Sequence, residues 1–249
     1  MIDLTSRYYR TYPLEAPLGQ AEEVLHLDMA HTVFLIIDVY GVGFDTDPSA
    51  VEPATEPEVP EFYMKAVREN WSIVRDHIVP AKHAAKSIGL PIVYVTNRLL
   101  PGLNERSEWR NLSLRVHGID VLESWQEPND VLAFSKVIAP EEGDYLIEKQ
   151  LYSGFFETQL DSLLRSLDAR NLVCVGFDSR ICLATTVLDA MYRNYRVVVL
   201  RDGIGTIEER ETEPERWANF LATRFIETNV GYTATSQDWI SACESTVTG

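Results

Sequence analysis

The sequence predicts an α/β fold, a three-layer α/β/α sandwich in which helices cover both faces of a mostly parallel, doubly wound six-stranded sheet. Short apolar runs rich in β-branched residues alternate along the chain with segments whose apolar residues recur at helical spacing. This alternation is typical of parallel strands joined by right-handed crossovers. Neither an internal repeat nor a break in composition interrupts residues 32–245. We therefore expect one domain over 32–249, preceded by an N-terminal arm over 1–31.

Six segments have the apolar character of buried strands. The first, TVFLII, is followed by Asp38, and the second, PIVYVT, is followed by Asn97. The third ends just before Lys149, and the fourth, NLVCVG, leads through a tight connection to Cys182. The predicted strands span 32–37, 91–96, 144–148, 171–176, 196–200 and 233–236.

Helical spacing of apolar residues marks the connections between these strands. Residues 61–88 carry the longest such pattern, which Pro80 is expected to kink or divide and Gly89 to end as a C′ glycine does. Further helices are predicted over 158–167, from Cys182 onward, over 213–227 and from 239.

Three stretches lack a clear period, and we expect an irregular arm over 1–31, a long acidic loop over 42–60 and an irregular segment over 98–140. The arm and the last segment are rich in aromatic residues, and large exposed apolar patches mark interfaces. We therefore expect a homodimer or homotetramer in which the arm covers a neighbour and 98–140 helps to wall the active site. The aromatic residues are Tyr8, Tyr9, Tyr12, Trp109 and Trp125.

Composition restricts the partners. The formal net charge of -16 argues against nucleic acid and against anionic membrane surfaces, since both repel such a field. No apolar run approaches the roughly 18 residues that a membrane-spanning helix needs. Three cysteines without framework spacing and no visible signal peptide predict a protein of the reducing cytoplasm.

Polar residues follow the predicted strands at one edge of the sheet, where ligands bind in open α/β folds. Asp38, Asn97, Lys149 and Cys182 all fall at these strand ends. Singly, each has an ordinary structural role: a turn cap, a loop amide, a solvated strand end and an inert buried thiol. Together they suggest a nucleophile with a base and a charge partner. The start of a helix at Cys182 predicts a lowered thiol pKa.

Three motifs carry a family resemblance. FLIID (34–38), IEKQLYSGFFETQLDSLLRS (147–166) and GFDSRICLATT (176–186) resemble those of the isochorismatase-like cysteine hydrolases. The run over 149–164 is similar to the branch that contains ureidoacrylate amidohydrolase and related ureide amidases.

This resemblance implies a triad of Asp38, Lys149 and Cys182. It also implies a cis peptide bond between Phe177 and Asp178, and an oxyanion hole formed by the amides of Asp178 and Cys182. Members of the family are commonly dimers or tetramers.

The activity implied is hydrolysis of a linear amide or ureide C–N bond through a thioester, with release of ammonia or an amine and without a cofactor. Candidate substrates are ureidoacrylate-like acids, biuret or triuret, and N-carbamoyl amino acids. Flat aromatic faces and an amide suit such planar polar molecules. The predicted pocket residues are Tyr40, Asn97, Tyr152, Phe155, Phe156 and Arg180.

The sequence departs from the family pattern at several positions, and these departures restrict the candidate substrates and activities. Tyr40 and Gly41 stand where many members have Gln-Asn, and Ser179 and Arg180 stand where many have Thr-Asn. No histidine follows Asp38 in its loop or occurs in TNRLLPGLNE (96–105), so we expect no metal and disfavour nicotinamide. Cys182 argues against isochorismatase activity itself, since that enzyme lacks the nucleophilic cysteine.

Other readings of the sequence compete with this one. A serine hydrolase would need a GxSxG motif, which is absent, and the five histidines show no metal-ligand spacing. A nucleotide-dependent dehydrogenase would need a GxGxxG turn after the first strand, which is absent. A noncatalytic small-molecule-binding relative of the same fold and a nicotinamidase-like amidase without metal stay open.

Overall fold

The computed structural model describes residues 1–48, 60–124 and 132–248. Its described residues contain an eight-stranded sheet in the order β2-β1-β8-β7-β6-β3-β4-β5. The strands are β1 (Ile2–Arg10), β2 (Gly19–Leu27), β3 (Thr32–Ile37), β4 (Ile92–Asn97), β5 (Tyr145–Lys149), β6 (Asn171–Gly176), β7 (Arg196–Ile204) and β8 (Tyr232–Ala234).

Helices cover both faces of this sheet. They are α1 (Gly41–Phe44), α2 (Glu61–Ile73), α3 (Val79–Ser87), α4 (Pro101–Asn104), α5 (Glu108–His117), α6 (Val121–Ser124), α7 (Leu160–Ser166), α8 (Cys182–Tyr192), α9 (Trp217–Asn229) and α10 (Ser236–Thr248). Short 3₁₀ turns occur at Met29–His31 and Glu213–Glu215.

The six predicted strands are confirmed as β3 to β8, and every pairing among them is parallel. Strand β3 is buried throughout because its side chains pack into two hydrophobic cores, one on each face of the sheet. Phe34 and Ile36 pack towards α3 and α10, whereas Leu35 and Ile37 pack towards α7 and α8. Burial on both faces explains why these strands are continuous apolar runs rather than alternating ones.

The predicted number of strands was wrong because the N-terminal segment contains two strands that were not predicted. Strands β1 and β2 form an antiparallel hairpin, and β1 pairs with β8, so the sheet has eight strands rather than six. Alternate residues of the hairpin, such as Ile2 and Leu4, are buried in the core that also holds Trp239. Residues 1–31 are therefore not an irregular arm.

The aromatic residues of this hairpin were expected to lie in an interface with a neighbouring subunit, but most of them pack against their own chain. Tyr8 packs edge-on against Tyr232 of the same chain, and the Arg224 guanidinium lies over the Tyr9 ring. Tyr12 alone of the three tyrosines is largely exposed. The hairpin aromatics thus mainly cover their own subunit.

The long helix predicted over 61–88 is present in three parts. A π-helical segment, Val74–Ile78, separates α2 from α3, and Pro80 follows it in the first turn of α3. Such a wide turn relieves the clash and the missing N–H that proline introduces into a helix. Gly89, with φ of +76°, lies just beyond α3, in the left-handed region typical of a C′ glycine.

The segment 98–140 is more regular than predicted, because it contains α4, α5 and α6. Ser107 caps α5 by accepting a hydrogen bond from the Arg110 amide, and Gly118 follows the helix in the left-handed region. Trp125 and residues 49–59 of the predicted acidic loop lie outside the described residues. None of the helices within the described ranges is long and apolar enough to cross a membrane.

Candidate active site

The carboxyl edge of the parallel sheet brings three predicted residues together. Asp38 follows β3, Lys149 ends β5, and Cys182 begins α8 after β6. The side chains of Asp38 and Lys149 are 3% and 0% exposed, so the acid and the amine form a fully buried pair. Asn97, the last residue of β4, lies beside them.

The turn between β6 and α8 needs a glycine at its start. Gly176 has φ of +119°, and a Cβ at this position would lie 1.9 Å from the Ile37 carbonyl oxygen. The Phe177 amide then donates to the same carbonyl, which holds the turn against the end of β3. Gly176 therefore fixes how closely Cys182 approaches Asp38. The Phe177–Asp178 peptide bond is cis, as the resemblance implied.

Lys149 is the centre of the site. Its Nζ lies 2.8 Å from Asp38 Oδ2 and 3.5 Å from Cys182 Sγ. It also donates to Asn97 Oδ1 and, at 3.1 Å, to the Leu151 carbonyl oxygen. An ammonium group has three protons, and the bonds to Asn97, Leu151 and the Cys182 sulfur use them, so the group is held in one position. The lysine thus carries a fixed positive charge between the carboxylate and the sulfur.

The thiol pKa is opposite in direction to the sequence-based expectation. Burial raises the pKa of Cys182 well above its ordinary value, and the negative charge of Asp38 raises it further. Lys149 lowers it, but less than these two effects raise it. The prediction from the helix start alone was wrong, because it considered neither burial nor the acid. At rest the sulfur therefore carries its proton and needs a base to remove it.

Asp38 is available as that base. Its carboxylate lies within hydrogen-bonding reach of the Cys182 thiol and the Tyr40 hydroxyl. Among the described residues, neither of its oxygens accepts a well-aligned hydrogen bond. Burial and then Asp38 raise the pKa of Tyr40, so this phenol stays protonated and is a donor.

The backbone amides of the turn between β6 and α8 differ in their hydrogen bonding. The amides of Ile181 and Leu183 both donate to the Asp178 carbonyl, at 3.1 Å each. In the described part of the chain, the amides of Asp178 and Cys182 make no comparable backbone bond. Unpaired amides at the start of a helix are suited to a developing negative charge on a substrate oxygen.

The Asp178 side chain stabilises the turn between β6 and α8 through hydrogen bonds. It accepts hydrogen bonds from Thr206 Oγ1, at 2.5 Å, and from the Arg180 amide, at 2.7 Å. Burial raises the pKa of Asp178, and these two bonds lower it in part. Arg180 continues the brace by donating to Thr206 Oγ1 and pairing with Glu209.

A cavity of about 450 Å³ opens above the triad. Its floor consists of the triad's acid and thiol together with the turn after β6. Its walls come mainly from α2 on one side and from α5 on the other. The lining residues are Asp38, Tyr40, Phe44, Tyr63, Val67, Asn70, Asn97, Trp109, Leu112, Ser113, His117, Val121, Tyr152, Phe177, Asp178, Ile181, Cys182, Thr206 and Ile207.

Half of the predicted pocket residues line this cavity, namely Tyr40, Asn97 and Tyr152. Phe155 does not, because it is buried in the core and stacks on Tyr195. Phe156 is 46% exposed and also lies outside the cavity lining. Arg180 is a structural brace rather than a wall of this cavity. The structure places these three residues outside this cavity, since side-chain direction after a tight turn does not follow from sequence spacing.

The segment 98–140 lines the cavity, as expected, through Trp109 and Leu112 of α5. Trp109 packs edge-on against Tyr152. Neither the contribution of α2 nor the helical form of α5 was expected. Ser107 and Gly118, at the two ends of this helix, were signals that could have indicated it. Val67 and Asn70 come from α2, whose cavity-facing side cannot be distinguished in sequence from its core-facing side.

The described residues hold no group of three or more His, Cys, Asp or Glu side chains that could bind a metal ion. The cysteines Cys174, Cys182 and Cys243 are all free and buried.

A doubly wound parallel sheet with an acid, a lysine and a thiol at its carboxyl edge defines this chain as an isochorismatase-like α/β protein. The chain belongs to the isochorismatase family: the model of the isochorismatase domain matches residues 62–228. The family resemblance identified from the three motifs is thereby confirmed.

Curated relatives include two ureidoacrylate amidohydrolases named RutB. The protein of Enterobacter sp. (strain 638) is 38% identical over 105 residues, which cover 42% of this chain and 43% of the relative. That of Stutzerimonas stutzeri (strain A1501) is 39% identical over 108 residues, which cover 43% of this chain and 38% of the relative. The matches thus span about two fifths of these relatives.

Solved structures share the fold. A cysteine hydrolase from Pseudomonas syringae pv. phaseolicola 1448A superposes with a TM-score of 0.69 at 20% identity, covering 88% of this chain and 95% of that one. The N-carbamoylsarcosine amidase from Thermoplasma acidophilum has a TM-score of 0.55 at 24% identity, covering 83% and 96%. At these identities the likeness concerns the fold alone.

Proposed function

We propose that the protein is a cysteine-dependent amidohydrolase that cleaves the C–N bond of a small linear amide or ureide through a thioester. The observation that carries this proposal is the position of Lys149 Nζ, 2.8 Å from Asp38 and 3.5 Å from the Cys182 sulfur, beneath the floor of a cavity that both of these residues line. A base, a fixed cation and a thiol in this order form an activated nucleophile. The names of the curated relatives, amidohydrolases acting on ureidoacrylate, support the bond type.

The first half-reaction begins with the thiol proton. Asp38 accepts this proton, and the sulfur attacks the carbonyl carbon to form the C–S bond. Lys149 stabilises the thiolate while Asp38 is neutral. The amides of Asp178 and Cys182 donate to the oxyanion, which is worth about 3 kcal/mol per donor. As the C–N bond breaks, Asp38 gives its proton to the departing ammonia or amine.

The second half-reaction restores the enzyme. Asp38 now removes a proton from a water molecule, whose oxygen attacks the thioester carbonyl. The C–S bond breaks, the acid product leaves, and Asp38 returns its proton to the sulfur. Proton transfer by one positioned carboxylate in both halves is ordinary general acid–base catalysis. These residues complete the cycle with no cofactor.

The test is Cys182→Ala with ammonia release measured on a panel of amides and ureides. Turnover should fall at least about 10⁴-fold, as for other covalent nucleophiles. Cys243→Ala is the matched control, because Cys243 is a buried cysteine of α10, outside the cavity, and its turnover should stay near wild type. A mass increase of wild-type protein by the acyl group, absent in Cys182→Ala, would identify the thioester.

The remaining alternatives are decided by the same experiment. Equal turnover by Cys182→Ala and wild type would rule out the covalent mechanism. Tight binding without turnover in wild type would identify a noncatalytic binding protein of the same fold. A thiol nucleophile also requires reducing conditions, which supports a cytoplasmic location.

The protein is further proposed to form a homo-oligomer, although through a different surface from the one predicted. Trp217, Phe220, Leu221 and Phe225 of α9 are each 39% to 56% exposed. They form an apolar helix face beside a groove that Leu188 also lines. A patch of this kind on a protein surface usually marks an interface, and a second copy offers the same apolar face in a twofold dimer.

Charge reversal tests this surface. Leu221→Glu should lower the mass measured by light scattering, because a carboxylate cannot be buried unpaired in an apolar interface. Val247→Glu, an equally exposed apolar position of α10, should leave the mass unchanged. An unchanged mass for Leu221→Glu, or a monomeric wild type, would contradict the assignment of α9.

A further inference from the structure

The geometry points to a neutral, apolar substrate: an amide or ureide that carries an aromatic or branched hydrocarbon group and no carboxylate. This inference rests on the proposed amide-cleaving function and narrows it. It departs from the acidic substrates that the sequence first suggested, such as ureidoacrylate-like acids and N-carbamoyl amino acids. Its basis is the chemistry of the cavity walls.

Above the triad, the walls are mainly hydrocarbon and aromatic. Trp109 and Leu112 of α5 line one side, and Tyr63 and Val67 of α2 line the other. Ile207, in the loop after β7, adds a further aliphatic group. Such a wall gains free energy by covering an apolar group, at about 25 cal/mol per Å² buried. A carboxylate placed there would lose its hydration without finding a charged partner.

The formal charges of the cavity are unfavourable to an acidic substrate. Neither lysine nor arginine is among the described residues that line it, and His117 is the single imidazole there. Asp38 and Asp178 both line the cavity. The positive charge of Lys149, beneath the floor, is already paired with Asp38. A substrate carboxylate would therefore meet two acids and no free cation.

Basic residues on the two wall helices are directed to other partners. Their side chains form ion pairs with acids: Lys65 with Glu213, Arg68 with Glu61, and Arg110 with Asp120. The segments 49–59 and 125–131, which lie outside the described residues, contain no lysine, arginine or histidine. The sequence of these segments therefore offers no cation that could complete a carboxylate site.

The buried polar atoms of the lining residues offer a carboxylate no partner either. The Tyr40 hydroxyl and Asn70 Oδ1 are both buried from solvent, and the Tyr40 hydroxyl lies within hydrogen-bonding reach of Asp38. The preference for a neutral substrate therefore follows from the apolar walls and from the absence of a lining cation among the described residues.

The test compares substrates that differ by one carboxylate. One pair is benzylurea and N-carbamoylphenylglycine; the other is 4-isopropylphenylacetamide and 4-carboxyphenylacetamide. With wild-type protein, kcat/KM should favour the neutral member of each pair at least about 100-fold, since a buried unpaired charge is strongly rejected. Dissociation constants of the same compounds for Cys182→Ala, measured by calorimetry, should show the same order without turnover.

A rim substitution provides the second measurement. Leu112→Arg places a cation in the wall at a side chain that is 47% exposed and therefore tolerant of charge. It should raise relative kcat/KM for the carboxylate member about fivefold, the effect of a partly exposed ion pair. Leu114→Arg, on the same helix and 41% exposed but outside the cavity, should leave the ratio unchanged.

The outcomes separate the two proposals. Turnover of the acidic members at equal or higher kcat/KM would overturn the neutral-substrate inference and leave the amidohydrolase proposal standing. No turnover of any amide, with Cys182→Ala still binding the neutral members more tightly, would support the cavity assignment and overturn the catalytic one. Failure of the neutral members to bind in calorimetry would overturn the inference outright.

Discussion

The floor and the walls of the cavity are built on different principles. On the floor, Asp38, Lys149 and Asn97 lie at the ends of adjacent parallel strands, and buried ion pairs and hydrogen bonds connect them. The walls come from α2 and α5, whose side chains make van der Waals and ring contacts, such as Trp109 against Tyr152. In the proposed function, the floor provides the chemistry, and the walls select the molecule on which it acts.

This difference sets the tolerance of the two regions to change. Removing one partner of a buried charge pair leaves the other charge uncompensated, which typically costs about 3–5 kcal/mol. Shortening an apolar wall residue that borders an open cavity removes contact area only. Substitutions on the floor should therefore alter rate and stability together, and substitutions on the walls should alter KM.

After Cys182→Ala, the largest expected effect follows from Asp38→Asn. Turnover should fall by about 10³-fold, the contribution of a positioned general base. The same substitution removes a negative charge that raises the pKa of Cys182, so the thiol pKa should fall. Alkylation by iodoacetamide, followed by mass spectrometry over the alkaline range, should reach half of its maximal rate at a lower pH in the variant. A less active protein should thus have a more ionised sulfur.

Either of two results would contradict this account of the floor. One is an unchanged pH profile of alkylation, which would mean that Asp38 does not influence the thiol. The other is nearly full turnover, which would mean that another group accepts the proton. Wild-type alkylation should keep rising beyond the ordinary thiol range, because burial raises the pKa of Cys182.

A wall substitution should have a smaller and different effect. Trp109→Ala should raise KM about tenfold for a neutral aromatic amide, through lost apolar contact, and leave kcat within about twofold. Tyr192→Ala, at an exposed aromatic residue of α8 outside the cavity, is the control and should change neither constant. A fall in kcat without a rise in KM would show that the walls take part in the chemistry.

The smallest expected effect is that of a chelator. The proposed reaction uses only protein groups on the floor, so activity should survive exhaustive treatment with EDTA. Steady-state assays before and after treatment, with and without added zinc, measure this. Loss of activity that zinc restores would mean that the floor contains a metal and that the proposed role of Lys149 is incomplete.

The floor could be predicted from the sequence because strand ends converge wherever buried strands are parallel. TVFLII and NLVCVG match β3 and β6 to the residue. The first leads directly into Asp38, and the second leads through the turn 177–181 to Cys182. On the walls, only the contribution of 98–140 was predicted. That of α2 could not be, because α2 presents apolar side chains to both the core and the cavity. Which of these sides covers the triad depends on packing between distant segments.

The β1–β2 hairpin and the direction of the Cys182 pKa shift could not be predicted from local sequence patterns either. Strand β1 has alternating burial at Ile2, Leu4 and Ser6, a short period-two signal that charged and aromatic neighbours obscure. The pKa of Cys182 depends on burial and on Asp38, which is distant in sequence. A local pattern, the start of a helix, indicated the wrong direction.

The pairing of β1 with β8 has a consequence for synthesis of the protein. Arg7 of β1 forms an ion pair with Glu227, a residue 220 positions later, next to the strand that β1 joins. At about 5–20 residues per second, the ribosome needs roughly 10 to 40 s between these two points. During this interval the hairpin has no neighbouring strand to complete its pairing, and an isolated two-stranded hairpin is marginally stable. Ile2, Leu4, Leu25 and Leu27, which pack in the same core as Trp239 of α10, therefore remain without this cover on the nascent chain until the last strand and helix emerge.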